Sequence, residues 1–593
     1  MNNSTIKIIK NTFKLIEGKD KRKIFLLIPI YIALAITDLL GVVLLGSVGT
    51  LGFKIISGDT QKSRIENIVY QLFKHEYSLT FLTMLLLICS LMVLTIRTIC
   101  SSYLSYRLAG FQARLQTNAA TKLYQMIINS DISQINYNKY SDYQYALLIS
   151  SSRTISAVIG VTISIFSDLF TTLLMAFFAL YASPFSFLSA LTVFGLVYLF
   201  INGPINRKSK YYGKQSAVLH TSITDDLLQL FQGIKEIKAY RQTESIATIF
   251  SSNKSNQSLI SEKSIWLNSL VRYLLELAII SAASLIMIIL LITSDARHTV
   301  TIMVVFLAIG YRLIPNLQRI QNSIMLLRNT EGASELLFKL ITQFENNKTN
   351  DPNKLPNQFH NIELKNIYFK HNSSADGYIL EDINIKITRN TTTAIVGASG
   401  AGKTTLVDII CGLYTPNSGE VNYLDQNKAI ISNWQSGSKI SYVSQNPAIF
   451  NGDVYTNITL KDKINDSEML RVNYILENLG LINLLYEPGG TTLKQIRSDG
   501  TNTSGGERQR LSIARAIFFD TNLIILDEPS SALDDESRNK VHDFIKKIDG
   551  LKTVLIITHD ENLINYCSSV VMIRDKTVNF NGKIDEYLKF KNL

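Results

Sequence analysis

Gly397-Ala398-Ser399-Gly400-Ala401-Gly402-Lys403-Thr404 is the stretch on which the reading of this chain turns. It follows a strand-like run, Thr393-Ala394-Ile395-Val396, and precedes a helical one, Leu406-Val407-Asp408-Ile409-Ile410. That is the strand–loop–helix setting of a phosphate-binding loop. Gly397, Gly400 and Gly402 let backbone N–H groups converge on phosphate oxygens at a helix N-terminus, where the dipole favours an anion. Lys403 supplies positive charge to the β- and γ-phosphates of ATP, and the Thr404 hydroxyl a ligand for Mg²⁺, with Ser399 and Thr405 in the same cradle.

Further along, Leu523-Ile524-Ile525-Leu526-Asp527-Glu528 reads as a buried parallel strand ending in two carboxylates, at the strand ends where open α/β sheets hold ligands. Asp527 is expected to hold Mg²⁺ through water, and Glu528 to polarise the attacking water as general base. His559 follows another such run, Val554-Leu555-Ile556-Ile557-Thr558, and is expected to reach the γ-phosphate. Taken with Thr503-Ser504-Gly505-Gly506-Glu507, these motifs resemble the ATP-binding cassette family, over the whole chain. The resemblance implies an α/β P-loop cassette domain. Residues Ser504, Gly505, Gly506 and Glu507 would form its signature, with Thr503 for the usual Leu and Glu507 for the usual Gln. Gln445 matches the glutamine loop and a Mg²⁺ ligand, and Asp534 closes the D-loop that starts at Ser531. His371, in Phe369-Lys370-His371, stands where an adenine-stacking tyrosine is typical, with Tyr368 and Tyr378 as substitutes. In this family each ATP lies between the P-loop of one cassette and the signature of another, so one cassette per chain implies a dimer; a homodimer with two composite sites is the economical reading and a heterodimer the alternative.

Residues 1–342 have another texture. Apolar runs of about twenty residues, long enough to cross a bilayer, start near Ile24, Leu79, Val158, Pro184, Leu270 and Val300. They predict an α-helical transmembrane domain of six spans. Lys7, Lys10, Lys14, Lys19, Lys21, Arg22 and Lys23 crowd the N-terminal flank, whereas the connection 181–186 carries no charge, so the N-terminus is expected in the cytoplasm. The polar opening lacks the pattern of a cleavable signal, and the first span is expected to serve as anchor. Long polar stretches that still read as helix follow spans two and four, and should extend those spans into the cytoplasm. Within the second, Gly233-Ile234-Lys235-Glu236-Ile237-Lys238-Ala239-Tyr240 is a short basic segment, either pressed against the ATP-binding half or a solvated loop. Ile65, Ile68, Val69, Leu72 and Phe73 line one helical stripe between spans one and two, for the membrane interface or for packing on the spans. Residues 343–357 are polar with two prolines and read as a linker, leaving 358–593 as the cassette domain.

Mean hydropathy of +0.14 beside 18% charged residues fits a chain half in lipid and half in water. The net charge of +11 is that of cytoplasmic helix flanks, with no recognised nucleic-acid module. Four cysteines show no metal-ligand spacing. The fused halves and cytoplasmic extensions resemble the exporter-type transporters of the family. Ionisable residues in spans default to function: Arg97 lies ~27 Å into span two at 1.5 Å per residue, with Arg272 near the cytoplasmic start of span five and Arg312 inside span six. Arg272-Tyr-Leu-Leu-Glu276, Tyr311-Arg312-Leu313-Ile314-Pro315 and the outer stripe are similar to the bacterial lipid-linked oligosaccharide flippases. That implies an inner-membrane protein moving a polyprenyl-pyrophosphate-linked glycan or similar anionic lipid, with the three arginines on its pyrophosphate. Pairing of Arg272 with Glu276 is the competing reading. Export of a small peptide, export of cationic drugs, and an ATPase regulator without transport are the alternatives; the positive cavity disfavours drugs, and the spans disfavour a regulator.

Overall fold

The computed structural model describes residues 3–57, 78–182, 184–293, 296–345, 359–371, 377–425, 430–433, 440–487, 492–497, 502–531 and 533–591. The chain divides into two units: Met1–Asn129 with Asn138–Asn346, and Ser130–Tyr137 with Asn347–Leu593.

The first unit is helical. Among the described residues five helices are long and apolar enough to cross a membrane: Gly18–Gly52, Leu79–Ile128, Tyr140–Tyr181, Phe187–Gln232 and Thr243–Ile289. The sixth expected span falls in the helix Ala296–Asn329, where most side chains of the first half lie outside the described residues. So do the outer stripe from Ile65 to Phe73 and most of the linker. The helix Leu79–Ile128 has 50 residues and Thr243–Thr293 has 51. At 1.5 Å per residue these run to ~75 Å, more than twice the ~30 Å hydrocarbon core, so each continues well beyond a bilayer. The basic segment after Gly233 is a six-residue helix, Ile234–Ala239, with no buried residue. Pro204, which lacks an N–H to donate, sits in a π-helical turn, Ile201–Ile205, that breaks the regular ladder. Further down, two glycines permit backbone contact between helices. A Cβ on Gly213 would stand 2.1 Å from the Asn329 carbonyl oxygen, and one on Gly332 2.7 Å from Lys214 Cα.

The second unit holds two sheets. Strands β1 (Asn361–Phe369), β2 (Leu380–Thr388), β4 (Ser418–Leu424) and β5 (Ile430–Asn433) form an antiparallel sheet in the order β2-β1-β4-β5. The other sheet takes in β3 (Thr392–Val396), β6 (Ile440–Val443), β7 (Leu523–Asp527), β8 (Thr553–Ile557), β9 (Ser569–Arg574) and β10 (Thr577–Lys583), ordered β10-β9-β3-β8-β7-β6. All its pairings are parallel except β10 with β9. Every residue of β3, β7 and β8 is buried, which is why these strands read as unbroken apolar runs rather than alternating ones. Ile524 and Leu526 pack into one core with Leu511 and Ala514, while Leu523 and Ile525 pack into another with Leu406 and Ile410. Helices thus cover both faces of the parallel sheet. The segment Ser130–Tyr137 groups with this unit, and its Asn136 Nδ2 donates to Tyr414 Oη at 3.2 Å.

Candidate functional site

Parallel register brings four strand ends into line. Val443 pairs with Leu526, Asp527 with Ile557, and Ile395 with Ile557. The residues that follow these ends therefore meet at one edge of the sheet: the P-loop after β3, Ser444 and Gln445 after β6, Glu528 after β7, and Thr558 and His559 after β8.

The loop geometry requires glycine where the sequence has it. Gly400 and Gly402 have φ of +79° and +92°, backbone that L side chains rarely adopt. A Cβ on Gly397 would lie 2.3 Å from the Ile573 carbonyl oxygen. Lys403 is buried and turned back into the loop, its Nζ donating to the carbonyls of Gly397 at 2.8 Å and Ala398 at 2.9 Å. Burial holds its ammonium below the usual lysine range, against the pull of Glu528 and Asp527. Thr404, one residue into the helix Lys403–Ile410, donates from Oγ1 to Asp527 Oδ2 at 3.3 Å, and Tyr442 donates to the same oxygen at 3.4 Å. Burial raises the Asp527 carboxyl above the ordinary range, partly offset by the Thr404 hydrogen bond.

Glu528 has φ +49°, and its N–H donates to the Ile557 carbonyl at 2.9 Å, which locks the turn after β7 onto β8. Its Oε2 accepts from Gln445 Nε2 at 2.7 Å. Glu528 and His559 line one cavity of about 300 Å³ with Ser531, Arg538 and Asp560. The hydroxyl of Thr404, the carboxylate of Asp527 and the amide of Gln445 are hard oxygen donors of the kind Mg²⁺ takes. His371 lies between Phe369 and Tyr414, meeting them edge-on at centroid distances of 5.1 and 5.2 Å, while Tyr378 stands apart against Tyr368.

Ser504 opens the helix Gly505–Phe519, with Gly506 in its first turn. The Glu507 N–H donates to Ser504 Oγ at 3.1 Å and the Ser504 N–H donates to Glu507 Oε2 at 2.8 Å. This is a capping box, which satisfies two otherwise orphaned N–H groups. Burial raises the Glu507 carboxyl, but the hydrogen bonds from Ser504 and Asn483 outweigh it and hold it below the usual range. Glutamate in place of the usual glutamine is thus spent on the cap. Asp534 stands at the N-cap position of the next helix, Asp535–Ile548, whose Ser537 Oγ accepts from Arg510 Nη1 at 2.7 Å. Residues beyond the motifs, Tyr442, Asn483 and Arg510, thus hold the motifs in place. No sequence pattern marks them, because they come from distant segments.

Residues 380–531 match the family described as ABC transporter. The chain is 32% identical over 369 residues to the heterocyst differentiation ATP-binding protein HepA of Nostoc sp., an alignment that covers 61% of this chain and 59% of that protein. It is 25% identical over 447 residues to the transport/processing ATP-binding protein ComA of Streptococcus pneumoniae, 72% of this chain and 59% of that one. Over 231 residues, 38% of each chain, it is 36% identical to the ATP-dependent lipid A-core flippase of Wigglesworthia glossinidia brevipalpis. The chain spans less than two thirds of the length of the curated relatives it matches here. In fold it follows the structure of a bacterial Atm1-family ABC exporter with ATP bound, with a TM-score of 0.74, 15% identity, and 97% and 98% of the two chains covered. The ABC exporter fold, a helical half and an α/β cassette, is therefore its architecture.

In the helical half, two of the three arginines expected at a substrate pyrophosphate stand in ion pairs. Arg97 Nη2 donates to Asp38 Oδ2 at 2.7 Å, with the two side chains 21% and 7% exposed. Arg272 Nε donates to Glu276 Oε1 at 2.8 Å on an exposed face. Arg312 lies in the helix Ala296–Asn329, its side chain outside the described residues. A charge escapes water cheaply only with a counter-charge, which explains the pairing of Arg97 with buried Asp38. The sequence reading also missed a second pair: half-exposed Arg319 grips buried Asp168 with Nε at 3.1 Å and Nη2 at 2.9 Å from Oδ1. Four residues on four helices thus form two ion pairs with no net charge. An acidic residue in an apolar run was the available signal at Asp38 and Asp168.

Proposed function

We propose that this chain is half of a dimeric, ATP-driven exporter or flippase in a bacterial inner membrane, multi-pass, with the N-terminus and cassette in the cytoplasm. The observation that carries the reading is the meeting of Lys403, Thr404, Gln445, Asp527, Glu528 and His559 at one sheet edge, while Ser504 opens a separate helix. The first six residues supply everything a γ-phosphate needs except the signature, which a second copy would bring. Mg²⁺, held by Thr404, Asp527 and Gln445, would neutralise charge on the β- and γ-phosphate oxygens. The P-loop N–H groups and Lys403 bind the phosphates, for which Lys403 exchanges two loop carbonyls. Glu528 orients the water and takes its proton, once Gln445 releases its carboxylate. His559 contacts the γ-phosphate from the end of β8.

For the cargo, the exporter fold and the likeness to a lipid A-core flippase favour an amphiphile with a polar head, such as a lipid-linked saccharide. The pairing of Arg97 with Asp38 and of Arg272 with Glu276 weakens the argument for a strongly anionic head. Similarity to ComA over 72% of the chain favours, as the second reading, a small peptide. Reconstituted in proteoliposomes, Glu528→Gln should lower ATP turnover at least ~100-fold, the usual scale for a lost general base, and stop transport while ATP still binds. Turnover near wild type would remove Glu528 from the base role.

A further inference from the structure

The helices Asn206–Gln232, Thr243–Thr293 and Ala296–Asn329 enclose a cavity of about 460 Å³ whose lining is unusual for a membrane helix bundle. Gln318, Asn322 and Asn329 line it from the last helix, and Asn268, Ser269 and Arg272 from the second. The spacing 318, 322, 329 is i, i+4, i+11, so one stripe of that helix carries carboxamides where apolar packing is the rule. The side chains of Asn268, Gln318, Asn322 and Asn329 have no hydrogen-bond partner among the described residues. Asn268 and Asn322 are exposed and Gln318 and Asn329 half-buried, so all four amides are open to a ligand in the cavity. The size falls within the ~300–1,000 Å³ of small-molecule sites. Counting from the start of Ala296–Asn329 at 1.5 Å per residue, Gln318 lies ~33 Å along the helix, level with the cytoplasmic headgroup layer in the proposed topology.

The chemistry of the lining selects its ligand. Among the described residues no carboxylate lines the cavity, and the one cation there, Arg272, is engaged by Glu276 at 2.8 Å. A phosphate would call for several donors and net positive charge. Carboxamides offer a donor and an acceptor on one planar group, which matches hydroxyl groups that also do both. We propose that this cavity binds the uncharged, polyhydroxylated headgroup of a glycolipid, with Asn268, Gln318, Asn322 and Asn329 as the residues that read it. The proposal rests on the amphiphile-transport reading above and names the chemistry of its substrate.

Binding is measured without ATP turnover, so its outcome is separate from that of the Glu528 experiment. Full-length protein in nanodiscs is titrated with radiolabelled diglucosyl diacylglycerol and, in parallel, with phosphatidic acid of the same chains. The expected result is saturable binding of the glycolipid and at least tenfold weaker binding of phosphatidic acid. Gln318→Leu and Asn322→Leu should each weaken glycolipid binding about fivefold, the scale of one hydrogen bond. Asn322→Gln, which keeps the amide, should recover part of that loss, and thermal unfolding of each variant checks that it is folded. Glycolipid binding indifferent to the Leu variants would overturn the proposal, as would preferential binding of phosphatidic acid lost on Arg272→Gln.

Discussion

Asp408 shows how much one side chain beneath the P-loop can matter. It lies in the helix Lys403–Ile410, and its carboxyl is pushed up to about 6, by burial first and by the charge of Asp527 second. A carboxyl raised in the fold binds its proton more tightly there than in the unfolded chain. Its contribution to stability is therefore full below the ordinary carboxylate range and is lost as pH rises through about 6. Asp408→Asn should raise the melting temperature of the nucleotide-free protein at pH 7.5, with the gain shrinking as pH falls toward 5. A pH-independent difference would mean that ionisation of Asp408 carries no such cost. Individual residues of this site were unequally legible. Lys403, Thr404, Asp527 and Glu528 sit at fixed offsets from strand ends, so position along the chain dictates position in space. Tyr442 and Asn483 act through contacts between segments far apart in sequence, which no local pattern encodes.

Helix starts and helix pairs govern the next scale. The Ser504–Glu507 capping box holds the signature helix by two reciprocal hydrogen bonds. Ser504→Ala should cost about 1 kcal/mol of cassette stability, and Glu507→Gln, which still accepts from the Ser504 N–H, much less; urea unfolding measures both. The Asp38–Arg97 pair ties the helices Gly18–Ser57 and Leu79–Ile128. Removing one partner of a buried pair costs about 3–5 kcal/mol, whereas replacing both with apolar groups is often neutral. Asp38→Leu should thus lower the melting temperature more than Asp38→Leu with Arg97→Met, and the reverse order would deny the pair its compensating role. Hydropathy marked the long helices because lipid demands about twenty apolar residues whatever the packing. It left out which arginine faces which aspartate, since rotation of a helix about its axis is settled by its neighbours. The two ion pairs are therefore not legible from the arginines alone.

At the scale of the whole molecule, each chain carries one P-loop edge and one signature helix, and the proposed engine needs two chains. Mixed dimers, purified through two different tags, distinguish this from a chain that completes its own site. Lys403→Ala in one copy opposite Ser504→Arg in the other leaves one composite site intact and the second doubly damaged. Both changes in one copy, opposite a wild-type partner, damage both composite sites. ATP turnover by these two mixed dimers is the most direct test of the composite-site mechanism. The first should retain about half of wild-type turnover and the second fall to background; the opposite ranking, or equal rates, would contradict it.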